Sequence, residues 1–386
     1  MPRTIFELPS LALWLQQLAG ILPLSALIEF IDLANKLHIY ELSGLVPLWN
    51  WPVTPAGARL LLSSEDITGV CCLDHVGRSA VLHCIDGRYG DWYPCSTPST
   101  TRLCVSTRKV SIVVKNDSIN MQNERGRKQN LDIFDAMRLG PPSMIRPNSL
   151  FSSAFIRYRL VSTIGWLCCV GVAIVSLMAG LYIGCGYLLL VLLTGICVRF
   201  THGGKPRRLL DERPAPYARM VIATDSLNGS EWWAFYGGSY LLNSLLNKPL
   251  YRTDTTPTPK LLRFALRLLI VGQWVLAVGS CALQNWNALV ISFWIICCAL
   301  MNVYAYPPEE RVQDWLRYDL NIVLERIHTE FSSRRSMLSA LAYLNPDSAH
   351  TKWIDPILAS SEDRSRWESA LLAYMESGKL PVVSSL

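Results

Sequence analysis

Five residues of metal-ligating type, Cys71, Cys72, His75, His83 and Cys84, crowd into one short stretch. Thiolate and imidazole are the ligands zinc favours. Their spacing is not that of CxxC pairs. A β-hairpin turning at residues 76–79 sets Cys71 opposite Cys84 and Cys72 opposite His83. Alternation along the strands then places Cys71, His75 and Cys84 on one face and Cys72 and His83 on the other. Three converging ligands leave a tetrahedral site one short, so the expected role of these cysteines is burial in a strand. No resident metal or other cofactor is expected.

For acid–base chemistry the candidates are Asp86 and Asp91, with His75 and His83 nearby in sequence. The loop Asp86-Gly-Arg-Tyr-Gly-Asp-Trp-Tyr93 is dense in groups that bind substrates, but the same composition makes a tight turn anchored by aromatics. GxSxG, HExxH, P-loop and dinucleotide fingerprints are all absent from the sequence. The acidic pairs available to magnesium, Asp86 with Asp91 and Asp211 with Glu212, are sparse and separated. Catalysis is therefore the secondary expectation.

The elements that carry these residues follow from hydropathy. Leu160–Val198 and Leu268–Ala305 contain no Asp, Glu, Lys, Arg or His. Each is too long for one crossing of about 20 helical residues and fits two crossings joined by a tight turn. The fold class expected is an α-helical integral membrane protein with four spans in two helical hairpins, a small α+β cytosolic domain and a helical C-terminal tail. The chain divides into an amphipathic helical N-terminal region (1–57), a small β-rich domain (58–115), a linker (116–159), the first transmembrane hairpin (160–198), a basic central loop with a β-hairpin (199–260), the second transmembrane hairpin (261–306) and the tail (307–386).

Within these regions the patterning gives particular elements. Leu24, Leu27, Ile28, Ile31, Ala34 and Leu37 share one face of a helix. Leu11–Ile28 is apolar but is interrupted by Gln16, Gln17 and Pro23. It is read as a short amphipathic helix, with membrane insertion of residues 11–31 as the alternative, which puts the N-terminal tip across the membrane. Strands are expected at Arg59–Ser63, Gly69–Asp74, Ala80–Ile85, Arg102–Ser106 and Val110–Lys115, and a helix at Leu131–Leu139. Met220–Thr224 and Glu231–Tyr236 flank Asn228-Gly229, which suits a two-residue hairpin turn. This hairpin is expected to join the N-terminal sheet, and a helix follows at Tyr240–Leu246. Apolar residues from Val312 to Phe331 recur at helical spacing, and Ser-Ser-Glu-Asp from Ser360 matches a capping box.

Charge orients the spans. The net charge is +6, and residues 199–267 alone hold eleven basic against five acidic side chains. Arg157 and Arg159 precede the first apolar stretch and Arg263 and Arg267 the second, while both turns are uncharged. By the positive-inside rule the N-terminus, central loop and C-terminus face the cytosol. Seven of the twelve cysteines lie in the spans, and the other five form an odd set in a reduced compartment, so no disulfide framework is expected. Asn116 and Asn228 sit in glycosylation patterns that this topology keeps from the modifying side. Cys197 beside Arg199 reads as a span-end cysteine, with S-acylation as the alternative.

Uncharged spans lack the mark of ion and proton pathways, and Gln273 and Asn302 read as bonds across the bundle. The leading expectation is a membrane-anchored interaction or accessory protein with a cytosolic working surface. Its partners are membrane lipid and a protein docked on the C-terminal helices; nucleic acid is not expected. The alternative is an enzyme acting on a lipid or apolar metabolite at the cytosolic bilayer surface, and a small oligomeric channel is third.

Overall fold

A computed structural model describes residues 8–24, 33–44, 46–63, 74, 81–106, 110–114, 127–138, 153–202, 206–210, 215, 217–251, 260–345 and 350–377. The chain is mostly helical and forms two compact units interleaved along the sequence. One comprises Met1–Val76, Ser143–Arg208 and Arg252–Asp319; the other comprises Gly77–Pro142, Leu209–Tyr251 and Leu320–Leu386.

The helical unit contains α1 (Leu13–Ala19), α2 (Leu33–Ser43) and α3 (Pro55–Ser63), then α5 (Ser153–Met178), α6 (Tyr182–His202), α8 (Lys260–Leu283), α9 (Trp286–Tyr304) and α10 (Pro308–Asp314), numbered along the chain. Helices α5, α6, α8 and α9 are long and apolar enough to cross a membrane. Helix α6 is central and packs on the other three. Its inward residues Gly184, Tyr187, Leu188, Val191, Thr194, Gly195 and Val198 recur every three or four positions. The usual polarity is inverted: Gln273, Thr194, Ser280 and Ser292 are buried, whereas Leu167, Val175, Val271 and Val303 are exposed.

Two tight turns connect α5 to α6 and α8 to α9. Gly180, at φ +73°, turns the first, and Asn285 caps α9 by accepting from the Asn287 amide. Both turns lie at one end of the unit, where the Gly184 amide donates to Asn287 Oδ1 at 3.0 Å. At the opposite, open end Tyr158 meets Tyr306 edge-on at 5.6 Å.

The N-terminal region belongs to this unit and touches both ends. Trp286 Nε1 donates to the Pro9 carbonyl at 2.9 Å, and Gly20 abuts Gln284, so residues 9–20 lie at the turn end. The Arg207 amide donates to the Leu42 carbonyl at 3.0 Å, so α2 ends at the open end. Between α2 and α3, non-helical residues 46–54 thread between the long helices, with Trp49, Asn50, Trp51, Val53 and Thr54 buried. Most of residues 24–37, whose periodicity gave an amphipathic helix, lies outside the described residues; α2 begins at Leu33.

The other unit is built on one seven-stranded sheet in the order β2-β1-β5-β6-β4-β7-β3. Its strands are β1 (His83–Asp86), β2 (Trp92–Pro94), β3 (Val110–Val114), β4 (Gln129–Arg138), β5 (Ala218–Thr224), β6 (Glu231–Gly238) and β7 (Ile322–Phe331). The central hairpin β5–β6 bridges β1 to β4, as expected of a composite sheet. On one face Leu131, Ile222, Trp232 and Ala234 pack with Met337, Leu338 and Leu341 of α11 (Arg334–Leu344) and Trp367 and Leu371 of α12 (Glu362–Ser377). On the other, Phe134 stacks on Phe235 at 5.2 Å, and α4 (Pro98–Ser106) and α7 (Ser239–Leu242, continued by a π-turn over Asn243–Asn247) complete the unit.

Several elements differ from the expectations. Arg59–Ser63 lies in α3 and Arg102–Ser106 in α4, both helical instead of extended. Leu131–Leu139 falls largely in β4, and the repeat from Val312 to Phe331 is α10 and a π-turn followed by β7, so the tail is not wholly helical. In both misread strands the apolar residues also fit helical spacing, and β4–β7 pairing over Gln129–Arg138 supplies what local propensity does not. The β5–β6 turn closes from the Gly229 amide to the Ser226 carbonyl, so Asn228-Gly229 is not a two-residue turn. The last helix is capped by Ser361, whose Oγ accepts from the Arg364 amide. The expected strand Gly69–Asp74, apart from Asp74, and the turn at 76–79 lie outside the described residues.

Two glycines admit the threaded segment. A Cβ on Gly195 lands 2.1 Å from the Leu48 carbonyl oxygen, and one on Gly165 lands 2.0 Å from the Trp49 ring. Overpacking a core usually costs about 1–3 kcal/mol, and here one obstacle is backbone. Gly195→Leu and Gly165→Leu are expected to lower the thermal midpoint and broaden gel-filtration elution. Gly279→Leu, in open space, should leave both unchanged.

Candidate functional site

Of the residues singled out by sequence, Cys71, Cys72 and His75 lie outside the described residues, as do Asp211 and Glu212. Asp86, His83 and Cys84 are on β1 at one side of the sheet. Asp86 is 1% exposed, and both its carboxylate oxygens are engaged. Arg219 of β5 donates from Nε to Oδ1 at 2.9 Å and lies 2.8 Å from Oδ2, while the Arg88 amide donates to Oδ1 at 3.0 Å. The Asp86 amide and carbonyl close the turn with the Asp91 carbonyl and the Gly90 amide. Asp91 itself is exposed. The structure thus gives Asp86 the task of holding a turn against the sheet.

The His83 ring lies 5.3 Å from that of Trp92, tilted by 30°. Cys84 is buried; its hydrogen bond with Cys95, then burial, pushes its thiol well above the ordinary range, which disfavours the thiolate a nucleophile or metal ligand needs. Among the described residues no three His, Cys, Asp or Glu side chains converge on a metal position.

Strand pairing assembles a group that sequence reasoning missed. Register places Asp132 of β4 opposite His328 of β7. Asp132 accepts from Arg326 Nε at 3.1 Å and Nη2 at 2.8 Å, and lies 2.8 Å from His328 Nδ1. Nearly two hundred residues separate these partners in sequence, so no local motif announces them.

The most unusual polar chemistry is in the helical unit. Lys36, 5% exposed, donates to both the carbonyl oxygen and Oδ1 of Asn50, with its Nζ 4.8 Å from the centre of the Trp51 ring. Asn50 Nδ2 donates to Asn302 Oδ1 at 2.7 Å. Gln273 serves the same segment from α8: Oε1 accepts from the Val53 amide at 3.0 Å, and Nε2 donates to the Trp51 carbonyl at 3.3 Å and to Thr194 Oγ1 at 2.7 Å. The apolar stretches Leu160–Val198 and Leu268–Ala305 hold no charge of their own, yet a lysine of α2 is buried against them. Nothing in the spacing of Lys36 signals this; Gln273 and Asn302 did read as cross-bundle bonds.

At the open end, charged groups are buried together. His202 Nδ1 lies 3.0 Å from Glu41 Oε1, and both side chains are under a tenth exposed. Burial pushes His38 below its ordinary value, outweighing the neighbouring Asp74 and Glu41. Arg311 is buried, 3.3 Å from Asp314, with its guanidinium over the rings of Tyr158 and Tyr306.

Two concavities flank the threaded segment. A groove of about 570 Å³ runs along α5 and α9, lined by Gly165, Gly171, Val172, Val175, Phe293 and Trp294, with Trp49 at one margin and Leu8 and Trp286 at the turn end. Its walls are almost entirely apolar. A second, polar pocket of about 220 Å³ lies at the open end beside Tyr158, Ser162, Trp166 and Arg199.

Comparison with family models, curated proteins and solved structures gave no match at the level that indicates relationship.

Proposed function

We propose that this chain is a multi-pass membrane protein that binds one hydrocarbon chain of a bilayer lipid in the groove between α5 and α9. The groove carries this reading: it is large enough for a small-molecule ligand, almost wholly apolar, and set in helices whose outward faces are themselves apolar. A soluble ligand would find no directional hydrogen bonds along those walls, whereas an acyl chain needs none. Leu8 and Trp286 narrow its turn end, which favours one held chain over passing solvent lipid. The lipid reading is preferred to a protein partner docked on the C-terminal helices, because Met337, Leu341, Trp367 and Leu371 already spend those helices' apolar faces on the sheet.

Insertion of the four apolar helices, with Arg157, Arg159, Arg199, Arg263 and Arg267 at the open end, orients that end to the cytosol. The central loop and the residues after α9 are then cytosolic. Because residues 9–20 lie at the turn end and α2 at the open end, we favour the alternative in which the N-terminal region also crosses, which leaves the N-terminus on the far side. A glycosylation acceptor fused ahead of Leu8 is expected to be modified while Asn228 stays unmodified. An unmodified N-terminal acceptor on a protein that is correctly inserted by the Asn228 criterion counts against this crossing.

A Cβ on Gly171 has nothing within 4 Å, so a large side chain there fills the groove without displacing its walls. Native mass spectrometry of the detergent-purified protein is expected to show one retained lipid in the wild type and its loss in Gly171→Trp. Gly279→Trp, also in open space but away from the groove, should retain it. Equal retention by both variants, or no retained lipid in the wild type, overturns the proposal.

A further inference from the structure

The polar pocket at the open end is a separate site, independent of the groove. It is lined by Arg199 in the last turn of α6, Tyr158 and Ser162 at the start of α5, and Trp166, with Gly44 and Leu48 forming the wall opposite. Ser162 is held by its own backbone, whose carbonyl accepts from Trp49 Nε1 at 3.2 Å. Among the described residues its hydroxyl, the Tyr158 hydroxyl and the Arg199 guanidinium have no hydrogen-bond or ion-pair partner. Three donors thus face one small space with no carboxylate in its lining.

The surrounding charge favours an anion. Arg199 and Arg311 both act electrostatically on the Tyr158 hydroxyl. Asp314 is engaged by Arg311 and Glu41 lies against His202, and among the described residues Arg199 makes no ion pair. A guanidinium presents paired donors that match the oxygens of a phosphate group. The level is right as well. Tyr158 begins the apolar part of α5, and Trp166, 36% exposed, has the amphipathic ring that settles at a membrane interface. Basic pockets between spans on the cytosolic side are sites for anionic headgroups.

We propose that this pocket binds a phosphate group, supplied by the headgroup of an anionic phospholipid in the leaflet at the open end. The shared chemistry is a phosphate held by one arginine fork and two hydroxyls, and a free phosphate is the competing source.

The test uses the full chain in nanodiscs containing equimolar phosphatidic acid and phosphatidylcholine, with the retained lipid identified by native mass spectrometry after detergent extraction. A second sample carries inorganic phosphate in excess. The wild type is expected to retain phosphatidic acid about tenfold over phosphatidylcholine, the factor that one charge-assisted contact supplies. Arg199→Gln and Ser162→Asp should each bring that ratio close to one, with unchanged elution and unchanged retention of the groove lipid. Combining Gly171→Trp with wild-type Arg199 should leave the preference for phosphatidic acid intact, so the two sites fail separately. A wild-type ratio near one, or a ratio unchanged by both variants, overturns the proposal. Displacement of phosphatidic acid by inorganic phosphate would overturn the lipid as the source.

Discussion

Backbone in a medium without water must find its hydrogen bonds inside the protein, and residues 46–54 meet that constraint in the middle of the helical unit. A helix satisfies its own amides; this segment cannot. Its groups are therefore met by side chains from two neighbours: Gln273 reaches the Val53 amide and the Trp51 carbonyl, Trp274 Nε1 the Val53 carbonyl, and Lys36 the Asn50 carbonyl. Each of those side chains would be costly in an apolar core without such a partner. The segment and its polar contacts thus justify one another. Gly165 and Gly195 are the steric counterpart, since only a missing Cβ leaves room for Trp49 and the Leu48 carbonyl.

The electrostatics follow from the same arrangement. Lys36 gains two hydrogen bonds and an aromatic face and, among the described residues, has no carboxylate partner. At the open end the balance differs. Arg311 is buried beside Asp314, and Glu41 lies within hydrogen-bond reach of His202. Arg199 is exposed and belongs to neither pair.

What the sequence disclosed is what depends on local pattern over long windows. Helices α5, α6, α8 and α9 were legible because a run without ionisable residues has few alternatives, and β5 and β6 because their β-branched and aromatic residues flank turn formers. Strands β4 and β7 were not, since Leu131, Ile133 and Phe134 fit either period and only their pairing with each other decides. The chemistry of Asp86 was visible as residue types but not as geometry: its engagement by Arg219 needs β1 beside β5. The Asp132 and His328 contact and the insertion of Lys36 were hidden for the same reason, being products of long-range pairing between segments that carry no motif.

The threaded segment also explains why two dissimilar cavities can coexist on one helix. Along α5 the polar pocket takes residues 158–166 and the groove takes residues from Gly165 onward. Between them stands Trp49, whose indole nitrogen is tied to the Ser162 carbonyl and whose ring meets Trp294 edge-on at 5.8 Å. A helix rises about 1.5 Å per residue, so a change from polar to apolar lining within a few positions needs a partition, and a helical neighbour would present one residue type per turn to both. A turn over residues 47–50, closed by the Asn50 amide on the Pro47 carbonyl at 3.2 Å, instead puts Leu48 in the lining of the pocket and Trp49 in that of the groove. The divided surface of α5 is thus a consequence of having non-helical backbone against it, and the residues that hold that backbone in place hold both cavities apart.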